Sequence, residues 1–248
     1  VKISNTGAVV ITGSNGGLGL RLVSEFLKEG FTNIACHYHA HSESISALLK
    51  QNGLDPHKHL FKADLVEENE VVALRKDVHE KFGPVWGIVN LAGASSNAVS
   101  WKLTSAEFTR VLNANLMSTF HVIREFLPGM REKSQGRIIN VSSIVAHTGV
   151  PGASHYCASK AAIEGLTKAI AQEVASKLIT VNCLALGYFD EGLIRDVPPE
   201  HVALLRQRIP IKRLGNASEI YPLVSYLLSP GAEFMTGQVL HLNGGQYT

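Results

Sequence analysis

Hydrophobic positions along the chain follow two alternating periods. Short apolar runs rich in β-branched residues, the first being Ala8, Val9, Val10 and Ile11, predict strands buried on both faces. Between them lie stretches with apolar residues three and four apart. The first, with Leu18, Leu22, Val23, Phe26 and Leu27 before a stop at Gly30, predicts a helix. Read this way, strands occupy 8–12, 33–38, 59–62, 85–90, 137–141, 180–186 and 239–243. Further helices occupy 43–51, 68–81, 108–133, 156–176 and 218–228. Strands that alternate with helices throughout predict one parallel sheet, doubly wound with helices on both faces, in a single α/β domain spanning 1–248. The interval 188–215 breaks the pattern. It holds Pro198 and Pro199, a short amphipathic set (Val202, Leu205, Ile209), and Pro210. Ligands of open α/β sheets bind beyond the carboxyl ends of the strands, so this insertion is expected to serve as a substrate lid.

Composition narrows the classes. Hydrophobic residues make up 45% of the chain, and 23 Lys and Arg face 21 Asp and Glu, leaving no basic stripe for a nucleic acid. Cys36, Cys157 and Cys183 are odd in number and include no CxxC, which argues against a disulfide framework and a thiolate zinc site and fits a reducing cytoplasm. No run approaches the ~20 apolar residues of a membrane span, and the polar stretch 1–7 lacks a signal segment.

The candidate chemistry begins after the first strand, at Thr12-Gly13-Ser14-Asn15-Gly16-Gly17-Leu18-Gly19. A helix start offers free N–H groups and a positive dipole end to phosphate. Gly13 permits a tight turn, Gly17 lets a phosphate approach the backbone, and Gly19 lets helix and sheet pack closely. A plain strand-to-helix connection would look similar, and only its place after a buried strand favours a dinucleotide. Tyr156 and Lys160 stand four apart on a predicted helix and so share a face. An ammonium there would lower a phenol pKa that is ~10 when unperturbed. On an arbitrary helix such a pair is more often a partly buried tyrosine beside a surface lysine. His37, His39 and His41 alternate, and three His can hold a zinc, but the strand should end near Tyr38 and no metal is expected. His147 and His155 flank Tyr156 and read as polar loop residues, Cys157 as packing.

Taken together, Thr12-Gly-x-x-x-Gly17-x-Gly19, Asn90-x-Ala92-Gly93 and Tyr156-x-x-x-Lys160 resemble the short-chain dehydrogenase/reductase family. The likeness extends through Asp64, Asn115, Ser143 and the closing Thr236–Gly245 stretch. The resemblance implies a Rossmann-type domain with about seven strands, usually a homotetramer, that moves hydride between a nicotinamide and a carbonyl or alcohol. It implies Tyr156 as proton donor, Lys160 as its tuning partner and ribose ligand, Ser143 as the donor that orients the carbonyl, and Asn115 as holder of a relay water. Ser142 and Asn113 are read as structural neighbours. Gly13, Ser14, Asn15, Gly17, Leu18, Gly19, Tyr38, His39, Asp64, Leu65, Asn90, Ala92, Gly93, Leu186, Gly187 and Phe189 then join Tyr156 and Lys160 around the cofactor.

No acid stands at 37–41, where NAD-using relatives often carry Asp in place of Tyr38, so NADP(H) is favoured over NAD(H), which stays possible. Gly16 lacks the basic residue frequent among phosphate-binding relatives, leaving His39, Ser14 and Asn15 as donors. Leu186-Gly187 replaces the usual Pro-Gly. Glu191 replaces a cofactor-contacting Thr, placing a negative charge near the pyrophosphate unless it points away. Gly136–Ser143, Glu173–Lys177 and Ile209–Gly215 are most similar to 3-oxoacyl-acyl-carrier-protein reductases, for which Arg131, Lys133 and Lys177 would dock an acidic carrier near the site entrance. These cations read equally as helix-end charges. A dehydrogenase of a small alcohol, polyol or steroid is the second reading, and an idle nucleotide-binding or scaffold protein the third.

Overall fold

Val9 and Ile11 pack on one side of the first strand and Val10 on the other, the consequence of the two-residue strand period in a chain segment with no exposed face. The computed structural model describes residues 7–248, without the side chains of Leu193 and Asp196. The remainder of the polar stretch, 1–6, lies outside the described residues. In chain order the elements are β1 (Ala8–Ile11), α1 (Gly17–Lys28), β2 (Ile34–Tyr38), α2 (Glu43–Gln51), α3 (Pro56–His59), β3 (Leu60–Lys62), α4 (Glu68–Phe82) and β4 (Val85–Asn90). They continue with α5 (Ser105–Leu112), α6 (Ser118–Lys133), β5 (Gly136–Ser143), α7 (Val145–Thr148), α8 (Ser154–Val174), β6 (Ile179–Leu186), α9 (Pro199–Arg208), α10 (Ile220–Leu227) and β7 (Val239–Leu242).

All seven strands pair in parallel in the order β3-β2-β1-β4-β5-β6-β7. One face carries α1, α2 and α10 through Leu22, Phe26, Ile45, Leu49, Ile220 and Val224. The other carries α4, α6 and α8 through Val71, Leu74, Ile123, Phe126, Ile170 and Val174. Each fully buried aliphatic side chain contributes roughly 1.5–3 kcal/mol, so two continuous cores set the layers. The expected doubly wound α/β sheet is the one observed. At its amino-terminal end Arg137 is buried over Trp86, 4.7 Å from ring centroid to guanidinium, and pairs with Glu233 at 3.2 Å.

Two departures from the predicted elements bear on function. The long helix expected over 108–133 is α5 and α6 joined by a π-turn, Asn113–Met117, which is a feature often found near functional sites. The irregular interval contains a 3-10 turn, Gly192–Asp196, and α9. It is closed at its base where Gly215 N–H donates to Tyr188 O at 2.9 Å and Asp190 N–H to Gly215 O at 2.9 Å.

Candidate active site

Strand order reverses between β1 and β4, and the crevice of an open α/β sheet is expected there. Thr12 ties the two strand ends together: its Oγ1 accepts N–H groups from Leu91 and Ala92, each at 3.0 Å. A Cβ added to Gly13 would meet Ala92 Cα at 2.9 Å, and one on Gly19 would meet Gly13 O at 2.3 Å. Both positions therefore require glycine. Gly16 caps α1 with no side-chain hydrogen bond and no acid in the first turn, so the first helical N–H groups are left for a group outside the helix. The turn and the β4 end open onto a cleft of about 1730 Å³ at the carboxyl ends of the strands.

His37 anchors this turn. Its Nδ1 accepts Gly13 N–H at 3.2 Å, and its Nε2 donates to Ala63 O at 2.9 Å. With both ring nitrogens engaged in a buried ring, burial pushes its pKa down to about 4. That role was not read from the sequence, where only the alternation with His39 and His41 drew notice.

At the adenosine end the expected donors divide. His39 and Asp64 line the cleft, with His39 Nε2 3.6 Å from an Asp64 oxygen. Leu65 lines it too. Ser14 is fully buried, and its hydroxyl donates to Ile11 O while its N–H donates to His37 O. Neither group is free for a phosphate. The Asn15 carbonyl oxygen faces α2 and accepts Ile45 N–H. Tyr38 alternates with His37 and His39 along β2 and lies off the cleft, as the strand period requires. Asn90 also lies beneath it, donating to Asn140 Oδ1 at 2.8 Å.

At the other end Gly17, Leu18, Ala92, Gly93, Ser143, Tyr156, Lys160, Leu186, Gly187 and Phe189 share the cleft wall. Lys160 is buried, its Nζ donates to Val141 O at 2.9 Å, and burial pushes its pKa down to about 8. Asn115 is buried beside it. Its amide accepts Ala94 N–H at 2.7 Å and donates to Ala94 O and Ser159 Oγ. A Cβ on Gly93 would meet Asn115 Oδ1 at 2.8 Å, with Lys160 Nζ at 3.6 Å.

One expectation is overturned. Lys160 was expected to lower the Tyr156 phenol, yet burial raises it to about 12, and the opposing influence is a hydrogen bond with Ser143. Lys160 Nζ is turned to Val141 O and stands 5.6 Å from the Tyr156 ring centroid. Desolvation of the phenolate therefore sets the direction of the shift.

Ser142 borders the cleft, but its hydroxyl is turned to α8. Its hydroxyl contacts Lys160 O at 3.0 Å and buried Glu164 Oε1 at 2.7 Å, and the same carboxylate oxygen lies 3.0 Å from His147 Nε2. His155 Nε2 meets Ser96 Oγ at 2.8 Å. Neither His147 nor His155 lines the cleft, whereas Asn113, read as structural, does. Arg131 and Lys133 end α6 and Lys177 follows α8, just before β5 and β6 begin. In a parallel sheet that is the amino-terminal end. Within this chain the three exposed cations lie opposite the cleft, not at its entrance.

The short chain dehydrogenase family model matches residues 7–201. The 3-oxoacyl-(acyl-carrier-protein) reductase FabG of Staphylococcus aureus is 33% identical over 245 residues, covering 98% of both chains. Nodulation protein G of Rhizobium sp. is 34% identical over 95% of both chains, and the FabG reductase of Buchnera aphidicola is 34% identical over 96% of both. Such kinship makes this an NAD(P)-dependent oxidoreductase of CH–OH and C=O groups, and the glycine cradle and buried lysine of the cleft fit the dinucleotide it requires. The chain belongs to the short-chain dehydrogenase family.

Proposed function

We propose that the protein reduces a 3-oxoacyl thioester to its 3-hydroxyacyl form with NADPH. The observation that carries this reading is the meeting of Ser143, Tyr156 and Lys160 in one cleft with the Gly13–Gly19 turn. Bound there, the nicotinamide supplies hydride. The chain supplies the rest. A phenol with a pKa near 12 stays protonated at neutral pH, so Tyr156 holds the proton that the nascent alkoxide needs. The Ser143 hydroxyl, in the same cleft wall as that phenol, orients the carbonyl oxygen and stabilises charge as it develops. Lys160 binds ribose and adds positive charge within the buried wall.

Asn115 acts as a positioning residue. Its side-chain amide is taken up by Ala94 and Ser159, and its backbone carbonyl accepts hydroxyls from Ser118 and Thr119; it fixes the 93–94 turn against Lys160. His39 reads the ribose 2′ position, since no acid stands there on β2. The segment 188–215 is the substrate lid, and its Val197, Leu204 and Leu205 face the cleft, an apolar wall suited to an acyl chain. The names of the relatives support a thioester on a carrier protein. A homotetramer in the cytoplasm completes the reading, and sedimentation at four times the mass of the chain tests the assembly. No helix among the described residues is long and apolar enough to cross a membrane. The chemistry is tested by Tyr156→Phe, which should abolish reduction and leave cofactor affinity nearly unchanged. Retained turnover would remove Tyr156 from its role.

A further inference from the structure

Glu191 does not point away from the phosphate-binding turn. A Cβ added to Gly17, the first residue of α1, would stand 2.9 Å from Glu191 Oε2 and 2.7 Å from Gly192 N. Gly192 in turn has φ +80°, and a Cβ there would meet Leu18 Cγ at 3.3 Å. Two glycines thus let the 191–192 turn press directly on the first turn of α1. Arg195 holds the carboxylate from behind, its Nη2 2.6 Å from Glu191 Oε1.

This is where a dinucleotide would place its phosphates. The helix has no acid of its own in the first turn and no side-chain cap, so its positive end lacks an anion from within the helix. Glu191 supplies one from the insertion. An exposed pair such as Glu191–Arg195 gains little from its Coulomb attraction, and Arg195 remains on the solvent side with 68% of its side-chain surface exposed. The ion pair therefore does little to draw the carboxylate away from the turn.

We infer that Glu191 is a built-in competitor of the cofactor: its carboxylate lies against the diphosphate-binding turn and must be displaced, with the 191–192 turn, when a dinucleotide binds. The inference rests on the dinucleotide reading above and adds regulation to the same site. Cofactor binding and movement of the insertion become one event, because the residue that must leave belongs to the segment that covers the substrate side.

The competitor predicts two effects of opposite sign. In Glu191→Gln the seat is vacated by charge but not by shape, so NADPH should bind about tenfold more tightly. The cofactor-free variant should melt a few degrees lower, because α1 loses its terminal anion. Glu200→Gln, on the exposed first turn of α9, controls for a general change in net charge. Wild type and both variants are titrated with NADPH, NADH and inorganic pyrophosphate by nucleotide fluorescence or calorimetry, and melted without ligand. Tighter binding of a dinucleotide and of pyrophosphate by Glu191→Gln alone, together with its lower melting point, supports the inference. Equal affinities in all three proteins overturn it and leave the dinucleotide reading intact. Failure of all three to bind either dinucleotide overturns both.

Discussion

His37 Nδ1 accepts the Gly13 N–H at 3.2 Å while its Nε2 donates to Ala63 O at 2.9 Å, so one imidazole joins the phosphate-binding turn to the end of β3. The arrangement needs a neutral ring. Protonation would place a donor against a donor at Gly13.

The consequence is a defined acid sensitivity. Burial lowers the folded pKa from 6.5 to about 4. Between those values the unfolded chain binds more protons, so stability rises with pH across the window, is fully present above 6.5 and is lost as pH falls through 4. The shift corresponds to about 3 kcal/mol. Denaturant melts of His37→Gln should show a flatter dependence between pH 4 and 6.5 than wild type. An unchanged slope would mean that other groups carry the sensitivity.

On the proposed mechanism, Lys160 sets the alkaline limit of activity. Its pKa near 8 and that of Tyr156 near 12 leave an ammonium beside a protonated phenol at neutral pH. The value of kcat/KM for the nicotinamide reports the free enzyme and should fall above pH about 8. A profile that stays level until pH about 12 would assign the limit to Tyr156 instead.

At the adenosine end, Ser14, Asn15 and Tyr38 do not line the cleft and His39 does, which is why His39 is proposed as the reader of the 2′ substituent. His39→Asp should shift the ratio of NADPH to NADH kcat/KM at least about tenfold toward NADH, because a carboxylate repels a 2′-phosphate and accepts from a free hydroxyl. An unaltered ratio would place discrimination elsewhere.

Behind the cleft, Glu164 joins Ser142 on β5 to the helix that carries Tyr156 and Lys160. Removing it leaves the Ser142 hydroxyl with Lys160 O alone and takes the carboxylate from His147, at a cost of about 1 kcal/mol. Glu164→Ala should lower kcat about tenfold with little change in cofactor affinity. Ser142→Ala should do the same, and the double variant should be no worse than either single one. Additive losses would show that the two act separately.

The sheet, its helices and the cleft residues were legible because two hydrophobic periods and a few fixed spacings encode them. Val9, Val10 and Ile11 must face both ways, and Tyr156 and Lys160 must share a helical face. What was not legible depends on burial or on direction. The upward shift of Tyr156 comes from desolvation, which spacing does not report. The π-turn at Asn113–Met117 has no periodic signature of its own. Arg131, Lys133 and Lys177 looked like entrance charges until the parallel topology put the ends of their helices at the far edge of the sheet. The orientation of Glu191 depends on a turn that two glycines permit but do not dictate.

The most direct test of the central claim mixes the purified protein with an acetoacetyl thioester and either NADPH or NADH and follows the loss of reduced-nicotinamide absorbance. Steady turnover that is faster with NADPH and absent in Tyr156→Phe is the predicted result. No turnover with either nucleotide, in protein shown to be folded and to bind both, would contradict a 3-oxoacyl thioester as the substrate.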